Sequence, residues 1–208
     1  YIYMVKSKEE FFSEKEIDIL RLAIDKAEKR SDKKAASAPL VKNIINEVEF
    51  FLKKKKLICY GGTAINNILP EYDQFYDKSL EIPDYDFYSP NALKDAKELA
   101  DIYYSKGFID VEAKSGVHHG TFKVYVNFIA VADITQLDND LFKTIKKESI
   151  SVNGILYCPP NFLRMAMYLE LSRPKGDVSR WEKVLKRLLL LNKHLSLIHI
   201  SEPTRLHG

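Results

Sequence analysis

The sequence predicts an α/β fold of the α+β kind, in which a mixed sheet with flanking helices follows a helical N-terminal segment. Three observations predict it. Residues 1–55 repeat apolar side chains at helical spacing. Residues 56–160 consist largely of short apolar runs separated by glycine, proline and asparagine turns, as strands are. Residues 161–195 return to helical spacing, which indicates the start of a helical C-terminal region.

Composition narrows the class of protein. The 208 residues are 46% hydrophobic and 29% charged, which is typical of a globular chain and not of a disordered one. No apolar run reaches the roughly 18 residues that span a bilayer, so we expect no membrane partner. Cys59 and Cys158 are the two cysteines, and their separation argues against a disulfide framework. A net charge of +3 does not by itself indicate nucleic-acid binding.

Two helices are predicted before the first strand. Ser13, with Glu16 three residues later, forms a capping box that begins the first one. The second follows Pro39 and carries a buried apolar side. That side is expected to consist of Leu40, Val41, Ile44, Ile45, Val48, Phe51 and Leu52.

The central elements follow from local signals. A strand at 57–60 ends at Gly61-Gly62, and Thr63 is expected to cap a short helix over 64–69. Ser89-Pro90 begins a longer helix that Gly107 ends. The remaining strands are predicted at 84–88, 108–113, 122–126 and 128–135, and a hairpin with a type I′ Asn-Gly turn at 151–156.

Helices over 161–172 and 179–195 complete the pattern, and residues 196–208 do not continue it. That tail has no periodicity and resembles the translation of a sequencing-adapter read, so we expect it to be non-native and to pack against nothing. The chain also lacks an initiator methionine. We therefore expect a fragment whose natural sequence continues beyond about Leu195.

Three aspartates are the candidates for chemistry. Asp84 and Asp86 alternate on one strand, so both carboxylates face the same side and repel each other unless a cation lies between them. Asp133 stands in an otherwise apolar strand, where a charge is costly unless it is paired or metal-bound. Hard oxygen ligands favour Mg²⁺ or Mn²⁺. A lone Asp-x-Asp more commonly ends a strand or caps a turn.

The turn at Gly61, Gly62 and Thr63 favours the chemical interpretation. It lies between a strand and a helix, where backbone N–H groups can hold phosphate oxygens. Alone it would be an ordinary turn. The order of strand, Gly-Gly-Thr, helix, Asp-x-Asp, helix and third Asp resembles that of polymerase-β-like nucleotidyltransferases.

Longer segments resemble a narrower family, the poly(A) polymerase catalytic subunits of large cytoplasmic DNA viruses, especially the giant-virus branch. The segments are CYGGTAIN at 59–66, IPDYDFYS at 82–89, DVEAKSGVHHGT at 110–121 and YLELSRPKGDVSRWEK at 168–183. The resemblance spans roughly residues 5–195. It implies that residues 56–160 are the nucleotidyltransferase catalytic domain. Family members are considerably longer and carry a further C-terminal domain.

The resemblance also implies an activity and its residues. Gly61, Gly62 and Thr63 would hold the phosphates of ATP, and Asp84, Asp86 and Asp133 would hold two divalent ions, Mg²⁺ or Mn²⁺. The 3′-hydroxyl of an mRNA would attack the α-phosphate of ATP without a template, and pyrophosphate would leave. The implied partners are the RNA 3′ end and ATP, with a homodimer or a processivity subunit left open. The implied location is the virion and the viral factory of the host cytoplasm.

Two other functions remain open at this point. The same fold could transfer a nucleotide to tRNA or to a small molecule. Alternatively, the chain could be a non-catalytic RNA-binding or dimerisation subunit, although the presence of all three acids argues against this function. The basic clusters at 53–56 and 173–187 fit either solvated helix surfaces or contacts with phosphates, and His118-His119 favours a structural or substrate-facing loop over a metal site.

Overall fold

The computed structural model describes residues 39–76, 83–173 and 176–195, together with the isolated positions 19 and 23. The helix expected after Ser13 and the tail at 196–208 lie outside the described residues. The elements of the described part follow in chain order: α1 Pro39–Lys55, β1 Ile58–Cys59, α2 Gly61–Ile68, a 3₁₀ turn Glu71–Asp73, β2 Tyr85–Ser89, α3 Ala92–Ser105, β3 Val111–Ser115, β4 Thr121–Val126, β5 Ile129–Gln136, α4 Asn139–Lys147, β6 Ile150–Val152, β7 Ile155–Tyr157, α5 Pro160–Leu171, a 3₁₀ turn Val178–Arg180 and α6 Trp181–His194.

In the described part of the chain, the strands form one mixed seven-stranded sheet in the order β3-β4-β5-β2-β1-β7-β6. The pairs β2–β5 and β1–β7 are parallel, and the other neighbours are antiparallel. Strand β2 lies at the centre of the sheet, with β5 on one side and β1 on the other. The predicted α/β architecture with a mixed sheet and flanking helices is confirmed.

Amphipathic spacing explains how α1 packs. Val41, Ile44, Val48, Phe51 and Leu52 are buried as predicted. The expected burial of Leu40 is wrong, because its side chain is 49% exposed in the first turn of the helix. Apolar spacing predicts which side of a helix faces the core, but it does not fix whether the first turn of that side is covered.

Turn chemistry fixes two hairpins. Asn153 and Gly154 have φ values of 52° and 82°, as a type I′ turn requires. Asn127 and Phe128 also have positive φ values, 49° and 64°, between β4 and β5. Both tight turns occur where the sequence predicts them.

Several local predictions are corrected. Thr63 does not cap α2, because the helix begins at Gly61, three residues before the predicted start, with Tyr60 at the N-cap. Strand β3 begins at Val111 and not at Phe108, whose backbone N–H donates to the carbonyl of Tyr103 and closes the end of α3. Helix α4 was not expected. Its signal is Asp138, whose side chain accepts hydrogen bonds from the backbone of the helix's first turn.

Arg164 joins the two C-terminal helices. Its side chain is 1% exposed and donates to Asn161 Oδ1 at 2.8 Å, Asn192 Oδ1 at 2.7 Å and the Leu191 carbonyl at 3.1 Å. A buried cation needs such acceptors, and two of the three lie on α6. Arg164 therefore fixes α6 against α5.

None of the helices in the described part of the chain combines the length and the apolar character that a membrane span requires.

The Arg164→Met substitution should lower the free energy of unfolding by roughly 2–4 kcal/mol, because it removes three charge-assisted hydrogen bonds, two of which join α5 to α6. Urea unfolding of the purified chain measures this. The control is Lys186→Met, which removes an exposed cation of α6 and should change stability by less than about 0.5 kcal/mol. Equal effects of the two substitutions would contradict the role given to Arg164.

Candidate active site

The central strands bring the three predicted aspartates together. Asp86 in β2 is the register partner of Asp133 in the parallel strand β5, so both side chains leave the same face of the sheet. Asp84 lies immediately before β2 and interacts electrostatically with both. These three residues are called the carboxylate cluster below.

Burial and mutual repulsion disfavour full ionisation of the carboxylate cluster. Burial, followed by the charges of Asp84 and Asp133, raises the pKa of Asp86 to about 7. Burial and the charge of Asp133 also raise the pKa of Asp84. The site therefore holds more negative charge than its surroundings compensate, and a cation would relieve it.

Lys123 partly supplies that compensation. It is the cross-strand partner of Asp133, and its ammonium forms an ion pair with Asp133 Oδ2. Desolvation lowers the pKa of Lys123, but the hydrogen bond to Asp133 and the nearby negative charges outweigh this and raise it overall. The sequence offers only a weak signal for Lys123, a lysine between Phe122 and Val124 in an otherwise largely apolar strand.

One carboxylate oxygen is left without a partner. Among the side-chain atoms of the described residues, Asp133 Oδ1 is the single buried oxygen or nitrogen with no hydrogen bond. An unsatisfied buried carboxylate oxygen is costly, and such atoms mark strained or functional sites. Its hard oxygen character suits Mg²⁺ or Mn²⁺.

The glycine turn, residues 61–63, packs directly against the carboxylate cluster. Gly61 has a φ of +70°, and a Cβ built on it would lie 2.5 Å from Asp86 Oδ2. Glycine is therefore required there for two reasons, backbone conformation and space. The Tyr60 N–H donates to the Asp86 carbonyl at 2.9 Å, which fixes the turn to β2.

Thr63 is engaged with the acidic strand. Its hydroxyl donates to the backbone carbonyl of Asp84 at 2.7 Å, and the side chain is buried. In this structure the hydroxyl thus positions Asp84 relative to the turn. A role for Thr63 at a phosphate stays a prediction.

A cavity of about 520 Å³, within the usual range of small-molecule sites, opens beside Thr63 of the turn and Asp84 of the cluster. Lys42 and Glu49 of α1 and Lys183 of α6 also line it. The helical segments before and after the sheet thus both reach the site.

The three acids do not form a preformed metal-coordination site in this structure. In the ranges that the structure describes, no three His, Cys, Asp or Glu side chains are grouped closely enough to hold one metal ion. A shared cation would have to draw the carboxylates closer than they lie here. The orphaned Asp133 oxygen and the raised pKa values of Asp84 and Asp86 show that the chemistry of the donor set fits such an ion.

The basic cluster at 53–56 and the pair His118-His119 lie apart from this site, whereas Lys183 of the basic cluster at 173–187 lines the cavity. Lys55 pairs with Asp95 at 3.1 Å and with Glu98, so it has a structural role between α1 and α3. His118 and His119 are exposed in the loop between β3 and β4. Cys59 and Cys158 are buried free thiols.

The chain resembles viral proteins over most of its length. A protein of African swine fever virus (isolate Pig/Kenya/KEN-50/1950), named as a poly(A) polymerase catalytic subunit, is 34% identical over 170 residues, which cover 79% of this chain and 35% of that protein. A protein of Acanthamoeba polyphaga mimivirus with the same designation is 30% identical over 195 residues, covering 92% and 32%. The chain thus spans about a third of the length of these relatives.

The fold agrees with a solved structure. The crystal structure of the Megavirus polyadenylate synthase superposes with a TM-score of 0.78 and 28% sequence identity, over 93% of this chain and 40% of that one. The sequence model of the poly(A) polymerase catalytic subunit matches residues 46–177, which is more than half of the chain. This chain therefore belongs to the poly(A) polymerase catalytic subunit family.

Proposed function

We propose that the chain carries the catalytic core of a polynucleotide adenylyltransferase, which adds AMP from ATP to the 3′ end of mRNA without a template. The observation that supports this most strongly is the contact between the glycine turn and the carboxylate cluster. Gly61 brings a strand-to-helix turn against Asp86, so a triphosphate at the turn would have its α-phosphate near the acids.

The reaction requires one bond to form and one to break. The RNA 3′-oxygen attacks the α-phosphorus of ATP in line, the bond to the β-phosphate oxygen breaks, and pyrophosphate leaves. We assign Asp84, Asp86 and Asp133 as ligands of two divalent ions, Mg²⁺ or Mn²⁺. When bound, these ions would acidify the attacking hydroxyl and neutralise charge on the leaving group.

The residues of the chain have separate tasks in this proposal. The backbone N–H groups of Gly61 and Gly62 bind phosphate oxygens, and the Thr63 hydroxyl holds Asp84 in register with the turn. Lys123 neutralises Asp133 through Oδ2, and this leaves the unpartnered Oδ1 of the same carboxylate for a divalent ion. The RNA backbone is expected to contact cationic side chains rather than the cluster.

Two finer assignments rest on likeness to the relatives. The designation of those proteins as catalytic subunits favours a second, processivity-conferring subunit over a homodimer. Their viral origin leads us to propose action in the virion and the host cytoplasm. On this proposal residues 56–160 are the catalytic domain, residues 1–55 its N-terminal helical segment and residues 161–195 the start of a C-terminal helical region.

Removing a single charge from the carboxylate cluster should abolish activity and leave the fold intact. Asp84→Asn and Asp86→Asn keep side-chain size, but each should lower AMP incorporation by about a thousandfold or more, because the ions stabilise charge in the transition state. Labelled RNA with each NTP in turn, in Mg²⁺ or Mn²⁺, measures this with the protein at its natural length. ATP should be incorporated well above CTP, GTP and UTP.

Asp101→Asn is the matched control, since Asp101 is an exposed carboxylate on α3. It should retain wild-type activity, and RNA binding without ATP should change little in all three variants. Activity that persists in both cluster variants would refute the metal assignment. Metal-dependent incorporation without a preference for ATP would keep a nucleotidyltransferase and reject poly(A) synthesis.

The raised pKa of Asp86 predicts a pH dependence of stability in the metal-free protein. Since this pKa is about 7 in the folded state and about 3.9 in an unfolded chain, the folded state holds the proton more tightly. The stabilisation that this proton on Asp86 contributes to the free energy of unfolding is complete below pH 4 and is lost as the pH rises through 7. Asp86→Asn should remove this loss and stabilise the metal-free protein at pH 8 by roughly 1–3 kcal/mol.

Urea unfolding in EDTA between pH 4 and pH 8 measures this dependence, with Asp101→Asn again as the control. Added Mg²⁺ should stabilise the wild type at pH 8 and have a smaller effect on Asp86→Asn. A variant that is no more stable than the wild type at pH 8 would show that the cluster carries no such electrostatic strain.

A further inference from the structure

Arg187 of α6 holds its guanidinium against aromatic side chains beside the glycine turn. The guanidinium carbon lies 5.0 Å from the ring centre of Phe75 and 5.5 Å from that of Tyr76. One of its nitrogens donates to the Tyr76 hydroxyl at 2.5 Å. These contacts fix the direction of a long side chain that would otherwise sample many rotamers.

The segment that holds Arg187 is itself fixed to the helix of the glycine turn. The side-chain oxygen of Asn66, a buried residue of α2, accepts hydrogen bonds from the backbone N–H groups of Phe75 and Tyr76, each at 2.8 Å. The two aromatic rings therefore keep a constant position relative to α2. Through them α2 and α6, which are far apart in sequence, share one rigid contact.

The position of Arg187 depends on the absence of a side chain at residue 62. A Cβ built on Gly62 would lie 2.6 Å from the Tyr76 hydroxyl and 3.0 Å from both terminal nitrogens of Arg187. Gly62 has no positive φ that would demand glycine, so space is the reason for glycine here. The guanidinium is thus placed against the backbone of the turn.

The charge of Arg187 is not neutralised by any carboxylate of the described residues, whereas other cations of the same region form ion pairs. Arg180 pairs with Glu170 at 3.2 Å, Lys186 with Glu182 at 2.6 Å, and Lys193 with Asp73 at 2.7 Å. Among the described residues, the contacts of Arg187 are with the Tyr76 hydroxyl and the two rings. A half-buried guanidinium with spare donors is suited to an anion with several oxygens.

We propose that Arg187 is a binding residue for the polyphosphate of the incoming nucleoside triphosphate, on the side of the glycine turn away from the carboxylate cluster. Gly61 contacts the cluster and Gly62 contacts Arg187, so the turn lies between the acids and the cation. A triphosphate crossing the turn would place its reacting phosphate towards the acids and its terminal phosphates at Arg187. Tyr76 and Asn66 act as positioning residues. This inference rests on the proposed function.

The test is nucleotide binding in Mg²⁺, measured by calorimetry on the natural-length protein, with ATP, AMP and inorganic tripolyphosphate as probes. Arg187→Met retains the packing of the side-chain stem and removes the charge. It should weaken ATP binding by about tenfold to a hundredfold and tripolyphosphate binding to a similar degree. AMP binding should change less than about threefold, because AMP has no terminal phosphates. Lys186→Met, the matched control on α6, should bind all three probes like the wild type.

Two further variants keep the result interpretable. Arg187→Lys preserves the charge without the fork and should bind ATP with intermediate affinity. Tyr76→Phe retains the ring but releases the guanidinium, and it should weaken ATP binding by about threefold to tenfold. Adding Tyr76→Phe to Arg187→Met should weaken ATP binding no further than Arg187→Met alone. Thermal unfolding without ligand shows whether each variant is folded.

The outcomes separate this inference from the proposed function. Folded Arg187→Met and Arg187→Lys proteins that bind ATP as tightly as the wild type would overturn the assignment of Arg187 and leave adenylyl transfer intact. Equal losses for AMP and ATP would also overturn it, since the residue would then not recognise the terminal phosphates. A wild-type protein that fails to extend RNA, together with the expected loss of ATP and tripolyphosphate binding in Arg187→Met, would refute the proposed function while supporting Arg187 as a polyphosphate-binding residue.

Discussion

The structure depends on holding three carboxylates together in a largely buried place. Asp84, Asp86 and Asp133 repel one another, and burial adds to the cost, as the raised pKa values of Asp84 and Asp86 show. Folding tolerates this because the parallel β2–β5 register fixes two of the residues and Lys123 neutralises part of the charge. The arrangement lowers stability in the absence of a cation, which is the expected cost of a site prepared for one.

The glycine turn gives the candidate site two different sides, one at the carboxylate cluster and one at a cation. Gly61 allows the turn to reach Asp86, and Thr63 bonds the same turn to the backbone of Asp84. Helix α6 adds a cation on the other side, and its placement depends in turn on the buried Arg164 that fixes α6 to α5. Packing of α5 and α6 is thereby coupled to the geometry of the candidate site.

Local chemistry in the sequence predicts much of this. Alternation on a strand indicates Asp84 and Asp86, an apolar context indicates Asp133, and Asn-Gly predicts the type I′ hairpin at Asn153. The contacts that join distant segments cannot be predicted in this way. Lys123 opposite Asp133, and Arg187 between Phe75 and Tyr76, depend on strand register and helix packing. Neither follows from spacing along the chain, and the same is true of the exposed end of α1 at Leu40.

We propose that the carboxylate cluster binds divalent cations beside the glycine turn. Anomalous diffraction from crystals grown with Mn²⁺ and a non-hydrolysable ATP analogue tests this most directly. We expect Mn²⁺ peaks within bonding distance of carboxylate oxygens of Asp84, Asp86 and Asp133, including the unpartnered Oδ1 of Asp133, with the phosphates on the turn. An analogue bound with Mn²⁺ elsewhere, and no Mn²⁺ peak at the three carboxylates, would contradict this proposal.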